Sequence, residues 1–235
     1  MQTILVDARF YDEIKSVWGK DYRILPSYVS KLLAEPVCAH PDMTICSLGG
    51  GIYVCSPDSF DYYSRILADC DIKLVQGATC LKSNYPEDIA YNVARAGKCL
   101  IGHEMFSDPV LLQIAKENGL LFYPTKQGYA KCSSCIISEN ALITSDPSIV
   151  RSAQEAGIDV LKIRPGYVNL KGYDCGFIGG VCGVTPKGEL LCFGDMSSHP
   201  DYIEICDFLK KHNVALKDLK NRPLEDTGTI LSIYA

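Results

Sequence analysis

The sequence lacks the features that mark several large classes of protein. Its 235 residues contain no apolar run near the roughly 18 residues that a membrane-spanning helix needs, so we expect no membrane partner. The first apolar run carries Asp7 and Arg9, which a secretory signal would not, and no Pro/Ser/Gly-rich linker divides the chain. We therefore expect one cytoplasmic domain spanning residues 1–235.

Charge and glycine patterns give little support for nucleic acid or nucleotide binding. The net charge is -5, and the 23 Lys and Arg residues are scattered, with no basic stripe. Gly49-Gly50-Gly51 and Gly179-Gly180 lead into apolar segments, whereas a phosphate loop leads into a helix. We expect a turn between strands at the first cluster and a buried strand over residues 177–184. The expected partner is a small molecule and not nucleic acid, with a protein partner left open.

Cysteine is abundant, with 12 residues, yet the chain lacks the small size of a disulfide-stapled secreted domain. We expect reduced thiols, with Cys55, Cys99 and Cys192 packed inside apolar strands. Cys132 and Cys135 have the spacing of a metal or redox pair, but on one strand they would point to opposite faces, and no second pair is present. The sequence therefore predicts no cofactor and no metal site.

What the sequence does contain is a strand, helix and strand unit that recurs about five times. The two clearest copies share their landmarks, which are Asp108-Pro109 and Gly119 in one and Asp146-Pro147 and Gly157 in the other. Asp before Pro starts a helix, and the glycine lets the backbone leave it. Looser copies surround Ser56-Pro57 and His199-Pro200, and the fifth is split between the ends of the chain.

The split unit predicts how the fold closes. The apolar residues 3–7 and 229–233 would complete one unit, so we expect the first and last strands to pair and close a ring without exposed sheet edges. The predicted fold class is α/β, as a five-bladed, pseudo-fivefold α/β propeller. In such a ring, the same end of every unit points toward the axis.

Polar residues at that end of each unit form the candidate site. Carboxylates from four of the five units would meet near the axis, where their mutual repulsion favours a cationic ligand. We predict an axial acidic pocket for a small metabolite with a guanidinium or ammonium group. Its candidate ligand-binding residues are Asp42, Glu87, Asp88, Tyr129, Lys131, Asp174, Glu225 and Asp226.

These residues and the repeat give the chain a resemblance to the pentein superfamily. That superfamily comprises guanidino-group-modifying enzymes such as arginine deiminases, amidinotransferases and dimethylarginine dimethylaminohydrolases. Pro41-Asp42, Glu87-Asp88 and Glu225-Asp226 stand where it has acidic residues, and the resemblance covers almost the whole chain. It implies a divergent member with the five-bladed propeller fold and a guanidino or amino-acid-like ligand.

The resemblance also implies what this chain has lost. In catalytic penteins, a Cys thiolate attacks the guanidinium carbon and a His moves protons to and from the leaving amine. Tyr129 aligns with that His and Ile230 with that Cys, and neither side chain supports this chemistry at neutral pH. We therefore predict a binding protein without the family's catalytic pair.

Two alternatives stay open. In the first, Cys132 or Cys175 acts as a relocated nucleophile with His40 as its partner, in a hydrolase or amidinotransferase of the same substrate class. On a straight strand, however, Cys132 would point away from the face that Tyr129 presents. In the second, the chain is a non-catalytic protein-interaction scaffold, by analogy with the pentein translation factor that binds the ribosome.

Overall fold

The fold is built from five small sheets. A computed structural model describes residues 1–234, and Ala235, the last residue of the predicted domain, lies outside the described part. Each sheet has three strands, and its central strand runs antiparallel to one neighbour and parallel to the other. In chain order the strands are β1 (Gln2–Val6), β2 (Tyr22–Pro26), β3 (Ile45–Gly49), β4 (Ile52–Cys55), β5 (Lys73–Gln76), β6 (Ala94–Ala96), β7 (Cys99–Gly102), β8 (Leu121–Pro124), β9 (Cys135–Ser138), β10 (Ala141–Thr144), β11 (Asp159–Lys162), β12 (Cys182–Val184), β13 (Glu189–Cys192), β14 (Ala215–Asp218) and β15 (Leu231–Ile233).

Helices connect each central strand to its parallel neighbour. The longer ones lie between β1 and β2, β4 and β5, β7 and β8, β10 and β11, and β13 and β14, while two single helical turns precede β3 and β12. Across residues 1–234, no helix combines the length and the apolar character needed to cross a bilayer. The helices are α1 (Tyr11–Trp18), α2 (Pro41–Thr44), α3 (Phe60–Ile66), α4 (Pro109–Glu117), α5 (Pro147–Glu155), α6 (Ile178–Val181) and α7 (Tyr202–Lys211), with 3-10 turns at Ala8–Phe10, Glu35–Val37, Pro57–Ser59 and Met196–Ser198.

The Asp-Pro landmarks of the repeat start helices as predicted. The Asp108 carboxylate accepts a hydrogen bond of 2.9 Å from the backbone N–H of Leu111 and so caps α4. Asp146 caps α5 in the same way, by accepting from the backbone N–H of Ser148 at 2.7 Å. After these helices, Gly119 and Gly157 have φ of 70° and 74°, a backbone conformation that favours glycine.

The two ends of the chain share one sheet. Strand β15 lies antiparallel to β1, with Thr3 opposite Ile233 and Leu5 opposite Leu231, and β2 lies parallel to β1 on its other side. The predicted pairing of the first and last strands is therefore confirmed. Each sheet stays open, and within residues 1–234 no sheet closes on itself.

The hydrophobic core is divided into clusters that lie between successive sheets. One cluster joins Leu5 of the first sheet to Tyr53 of the second, and the phenol of Tyr53 also donates to the carbonyl of Ser232 at 3.0 Å. Another joins Ile4 of the first sheet to Leu191 of the fifth. Packing thus continues from the last unit back to the first, through buried side chains.

Both glycine clusters lie next to strands, but only the first has the predicted structure. Gly49, Gly50 and Gly51 have φ of 80°, 54° and 70° and form the turn between β3 and β4. The buried strand predicted over residues 177–184 is wrong, because a helical turn, α6, occupies its first half and only β12 is extended. The glycines of α6 allow the close backbone approach described below.

Candidate functional site

The candidate site lies where the chain enters the antiparallel strand of each sheet. Asp42 lies in α2, directly before β3, and Asn92 lies two residues before β6. Cys132 precedes β9, and Asp226 lies in the loop that leads to β15. Strands β3, β6, β9, β12 and β15 are neighbours in this order, so the segments that enter them converge.

The segment around Cys132 is a turn, which corrects the strand predicted there. The backbone N–H of Ser133 donates to the carbonyl of Tyr129 at 2.9 Å, and strand β9 begins only at Cys135. As a result, Cys132 does not point away from Tyr129, and both side chains line one cavity. Cys135 points elsewhere, into the core cluster that contains Cys182.

Three buried side chains with metal-binding and nucleophilic atoms meet at this place. The Cys132 thiol donates to Oδ2 of Asp42 at 3.0 Å, and one ring nitrogen of His40, one Asp42 oxygen and the Cys132 sulfur all lie within 4.8 Å of one another. Their exposed fractions are 1% for His40, 2% for Asp42 and 3% for Cys132. We call these three residues the His-Asp-Cys cluster.

Asn92 holds this cluster in place. Its side-chain carbonyl accepts from the backbone N–H groups of Lys131 at 2.7 Å and Cys132 at 3.2 Å. Its amide nitrogen lies 3.1 Å from the Cys132 sulfur and 3.2 Å from the Asp42 carbonyl oxygen, both of which accept from it. One buried amide therefore fixes the turn before β9 against α2.

Asp226 reaches the cluster from the far end of the chain. It accepts from the backbone N–H groups of Phe177 at 2.8 Å and Gly228 at 3.0 Å. A Cβ at Gly180 would lie 1.9 Å from its Oδ1, and a Cβ at Gly228 would lie 2.1 Å from the Cβ of His40. Glycine at both positions lets Asp226 and His40 approach the backbone closely.

Burial controls the protonation of these groups. Removal from water raises the pKa of Asp42 to about 8 and that of Asp226 to about 6, and it raises the pKa of the Cys132 thiol above its usual value. Burial, with a smaller contribution from the positive charge of Arg9, lowers the pKa of His40 to about 3. His40 is therefore neutral, so its separations of 3.9 Å from Asp226 and from Asp7 are not ion pairs.

Two of these groups retain unused hydrogen-bonding capacity. Within residues 1–234, neither ring nitrogen of His40 has a hydrogen-bond partner, nor does Oδ1 of Asp42. Buried polar atoms without partners are uncommon in folded proteins, since each costs about 1–3 kcal/mol. The cluster therefore keeps polar atoms that other described protein groups leave without a hydrogen bond of normal geometry.

Two cavities contain residues of the cluster in their lining, and the smaller one is lined by His40 and Cys132. It has a volume of about 90 Å³, and its polar lining includes His40, Cys132 and Asp226. The rings of Tyr129, Tyr173 and Phe177 also line it, together with Val37, Met43, Leu170 and Cys175. This cavity combines a buried carboxylate with aromatic walls.

A larger cavity, of about 250 Å³, has Asp42 in its lining. Residues of β3, β6, β9, β12 and β15 line it, and its charged lining residues are Asp42, Arg95, Lys131 and Glu139. The ammonium group of Lys131 donates to the hydroxyl of Thr229 at 2.7 Å. Asp42 thus lines the larger cavity, while its hydrogen-bond partner Cys132 lines the smaller one.

The half-buried Tyr129 and the buried Asp88 form a pair beside the smaller cavity. The Tyr129 phenol donates to Oδ2 of Asp88 at 2.7 Å, and Oδ1 of Asp88 has no partner among residues 1–234. Burial raises the pKa of both groups, and for Tyr129 the neighbouring Asp88 adds to the increase. The Tyr129 ring also packs between Tyr85 and Phe177, with ring centroids 5.6 Å and 6.1 Å away.

The other predicted site residues lie away from the cluster or at its rim. Glu87 and Asp174 are exposed, and Glu87 pairs with Lys82. The half-buried Glu225 accepts from Arg222 at 2.7 Å. The structure thus brings together Asp42, Tyr129, Lys131, Cys132, His40 and Asp226, with Cys175 at the cavity wall.

Two residues of the site were missed by the sequence analysis. Asn92 precedes β6 much as Cys132 precedes β9, and that position is the only sequence signal that could have singled it out. Thr229 has φ of 77°, which is unusual for a β-branched residue, and nothing in its local sequence marks this conformation. Ile230 is buried and lines the larger cavity.

Comparison with protein families identifies the chain at the level of sequence. A family model described as "Family of unknown function (DUF6873)" matches residues 5–231. The chain belongs to this family. No curated protein matches its sequence.

Solved structures resemble this DUF6873 chain in fold. An agmatine deiminase from C. jejuni is 10% identical with a TM-score of 0.57, and the match covers 99% of this chain and 81% of that one. Dimethylarginine dimethylaminohydrolase from Pseudomonas aeruginosa is 9% identical with a TM-score of 0.50, over 93% and 91% of the two chains. The amidinotransferase SxtG from Microseira wollei is 9% identical with a TM-score of 0.53, over 90% and 74%. The predicted resemblance to the pentein superfamily is confirmed at the level of fold, which these structures share with the chain at 9–10% identity.

Proposed function

We propose that this protein binds a small cation with a guanidinium or ammonium group in the smaller cavity. The observation that carries the proposal is the buried carboxylate of Asp226 at a cavity walled by Tyr129, Tyr173 and Phe177. A carboxylate attracts a cation strongly where water is excluded, and aromatic faces add a further attraction. The volume of about 90 Å³ suits a cationic head group, while a longer ligand would extend outward.

The charges around the cavity support a positively charged ligand. Asp42, Asp88 and Asp226 are all buried, and burial raises the pKa of each of them. A cation would offset the unfavourable burial of their negative charge. Of the described cations, Lys131 approaches the site, but its ammonium group is directed to Thr229.

The names of the structural neighbours support a guanidino compound among the cations. They refer to agmatine, to dimethylarginine and to amidino transfer. For this chain we propose a ligand of the same chemical class. We also propose that the five units form a five-bladed ring, in which the residues at the entrance to each unit point toward the axis. We further propose a cytoplasmic location, supported by the 12 cysteines, all of which are free.

We propose binding without the covalent chemistry of catalytic penteins. In the predicted alignment, Tyr129 takes the place of the family's His, and its phenol donates a hydrogen bond to Asp88. Ile230, which is buried, takes the place of the nucleophilic Cys in the same alignment. Cys132 and Cys175 line the smaller cavity and are the thiols we consider as replacements for the nucleophile, and Cys132 is held by Asp42 and Asn92.

One arrangement favours a second candidate, a thiol hydrolase of the same substrates. Cys132 lies within 4.8 Å of His40, and Nδ1 of His40 lies 3.9 Å from Asp226. In that reaction, the Cys132 sulfur would bond to the guanidinium carbon as its proton passes to His40. His40 would then protonate the departing amine, and water would release the thiol. Against it, the thiol donates to Asp42, and His40 has no hydrogen bond to either neighbour.

Thermal unfolding with a ligand panel tests the proposal. The panel contains guanidinium, agmatine, arginine and simple amines, with urea and citrulline as neutral controls of matched shape. A cation at about 100 times its Kd should add about 2.7 kcal/mol and raise Tm by about 5–10 °C. Stabilisation by arginine and not by citrulline is expected. Equal stabilisation by both, or by neither, would contradict cation recognition, and a flat panel would favour the interaction scaffold.

Two adjacent acidic residues provide matched variants. Asp226→Asn removes the buried charge, and Glu225→Gln removes a half-buried charge one residue away that is paired with Arg222. We expect Asp226→Asn to weaken cation binding at least tenfold, while Glu225→Gln leaves it within about twofold. Isothermal titration on variants with intact far-UV circular dichroism makes the comparison. Equal loss in both variants would exclude Asp226 as the cation's partner.

Product analysis separates the two candidates. The protein is incubated with arginine and agmatine, and the release of ammonia and the formation of ureido products are followed. No turnover is expected from a binding protein. Turnover that disappears in Cys132→Ser but not in Cys175→Ser would establish the hydrolase instead.

A further inference from the structure

The His-Asp-Cys cluster offers three different kinds of metal-binding atom in one buried place. The Cys132 sulfur, a His40 nitrogen and an Asp42 oxygen lie within 4.8 Å of one another. Thiolate, imidazole and carboxylate are the groups that bind zinc in proteins. His40 and Asp42 are two residues apart, but Cys132 lies 90 residues after Asp42, so the three do not form a contiguous metal-binding motif.

We propose that His40, Asp42 and Cys132 bind a zinc ion, or a divalent transition metal of similar preference. The charge balance suits this place. One thiolate and one carboxylate would neutralise the two positive charges of the ion, with His40 as a neutral ligand, so a buried site would carry no net charge. Binding would displace the proton of the Cys132 thiol, which now donates to Asp42, together with any proton carried by the Asp42 carboxyl.

The unused atoms of the cluster point to an absent partner. His40 has 1% of its surface exposed, yet in the described part of the chain neither of its ring nitrogens, nor Oδ1 of Asp42, has a hydrogen-bond partner of normal geometry. A coordinated metal would satisfy one nitrogen of His40 and one oxygen of Asp42. A structural histidine in a packed core would instead be expected to donate or accept at least once.

The groups around the His-Asp-Cys cluster resemble those that usually surround metal-binding side chains in proteins. Asn92 donates to the Cys132 sulfur at 3.1 Å, as hydrogen bonds to metal thiolates do. The two nitrogens of His40 lie 3.9 Å from Asp226 and Asp7, either of which could orient the ring when the other nitrogen coordinates. Arg9 approaches from outside, but its guanidinium is paired with Asp7 at 2.6 Å.

The distances require only small adjustments. Zinc bonds of about 2.0–2.3 Å place tetrahedral ligand atoms roughly 3.3–3.8 Å apart. The Cys132 to Asp42 separation of 3.0 Å would open slightly, and the widest separation, which is within 4.8 Å, would close by about 1 Å. His40 and Cys132 also line the smaller cavity, so a fourth position would face that space. Three protein ligands with one open position is the pattern of catalytic zinc sites.

Metal content and cobalt spectroscopy test this inference. The purified full chain is stripped with a chelator, incubated with one equivalent of Zn²⁺ or Co²⁺, desalted and assayed by mass spectrometry of the elements. One retained ion per chain is expected, and Co²⁺ should give a near-ultraviolet thiolate charge-transfer band. Cys132→Ser should remove that band and weaken binding roughly 100-fold or more, while Cys135→Ser, a matched buried thiol, should preserve both.

X-ray absorption spectroscopy of the zinc-loaded wild-type chain tests the proposal without requiring any variant to fold. We expect one sulfur at about 2.3 Å and nitrogen or oxygen ligands at about 2.0 Å. A zinc shell without sulfur, or no retained metal, would overturn the proposal, as would a charge-transfer band that survives in Cys132→Ser. The proposed cation binding is tested separately, by measuring the ligand panel on chelator-treated protein before any metal is added.

Discussion

The ammonium group of Lys131 donates a hydrogen bond of 2.7 Å to the hydroxyl of Thr229, a residue with φ of 77°. The same hydroxyl donates to the carbonyl of Cys182 at 2.9 Å. Thr229 therefore combines an unfavourable backbone with two buried hydrogen bonds that hold it there. Such a combination is typical of positions near functional sites, and here it joins β15, β12 and the turn before β9.

Two variants of Thr229 distinguish the effect of its backbone conformation on stability from the effect of its hydroxyl group. Thr229→Ala keeps the unfavourable φ and loses both hydrogen bonds, so we expect a loss of about 1–3 kcal/mol in the free energy of unfolding. Thr229→Gly loses the same bonds but removes the steric cost, and it should be about 1 kcal/mol more stable than Thr229→Ala. Urea denaturation measures both. An alanine variant as stable as the glycine variant would show that the hydroxyl alone matters.

Gly228 is expected to tolerate no side chain. Its φ is 67°, and a Cβ there would lie 2.1 Å from the Cβ of His40. Gly50, with φ of 54° and no heavy atom within 4 Å of its would-be Cβ, is the matched control. We expect Gly50→Ala to lose about 1 kcal/mol of stability and Gly228→Ala clearly more, measured by urea denaturation. Equal losses would mean that His40 can move aside.

Loss of the Asn92 side chain should lower the free energy of unfolding by more than the small size of that side chain suggests. Replacing it with Ala would leave the buried backbone N–H groups of Lys131 and Cys132 without their acceptor. We expect a loss of about 2–4 kcal/mol in the free energy of unfolding, since unpaired buried donors are costly. Asn140→Ala, on an exposed turn, is the control and should change stability by less than about 0.5 kcal/mol. A small effect at Asn92 would mean that water replaces the amide.

Asp88 should make stability depend on pH. Burial raises its pKa, so the folded protein binds the proton more tightly than the unfolded chain. The stabilisation from this proton is present below the unfolded pKa of about 4 and is lost as pH rises through the folded pKa. Asp88→Asn should therefore gain stability relative to wild type between pH 4 and 8, as measured by urea denaturation at each pH. Glu87→Gln, at an exposed neighbour, should show a smaller change. A difference in stability between Asp88→Asn and wild type that does not change with pH would contradict this account.

Thiol accessibility should differ sharply between Cys132 and Cys80. Cys132 is buried and hydrogen-bonded to Asp42 and Asn92, whereas Cys80 is exposed. We expect iodoacetamide at neutral pH to modify Cys80 in the folded protein and to leave Cys132 unmodified, as read from peptide masses. Rapid modification of Cys132 would favour the thiol hydrolase over the binding protein.

The repeat made much of the fold predictable. Asp108-Pro109 and Asp146-Pro147 specify helix starts through short-range geometry, and the paired end segments follow from an incomplete fifth unit. The turn at Cys132 was not predictable, because its conformation depends on Asn92, which lies in another unit.

The site was predictable only as a region. Glu87 and Asp88 are adjacent acids, yet one faces solvent and the other is buried against Tyr129. Residue type does not decide between these outcomes, because the contact that holds the Asp88 carboxylate comes from Tyr129, which lies 41 residues away in the chain. The meeting of His40, Asp42 and Cys132 has the same origin and has no local sequence pattern.

The pairing of β1 with β15 has a consequence for synthesis of the chain. While the ribosome is still translating, β1 can pair with β2, but its other edge has no partner until residues 231–233 emerge. Asp226 and Thr229 arrive with the same late segment, so the cavity beside His40 is incomplete in every nascent chain. Contacts between such distant segments form slowly and leave strand edges open meanwhile. The newly made protein is therefore expected to need chaperone protection longest at its first strand.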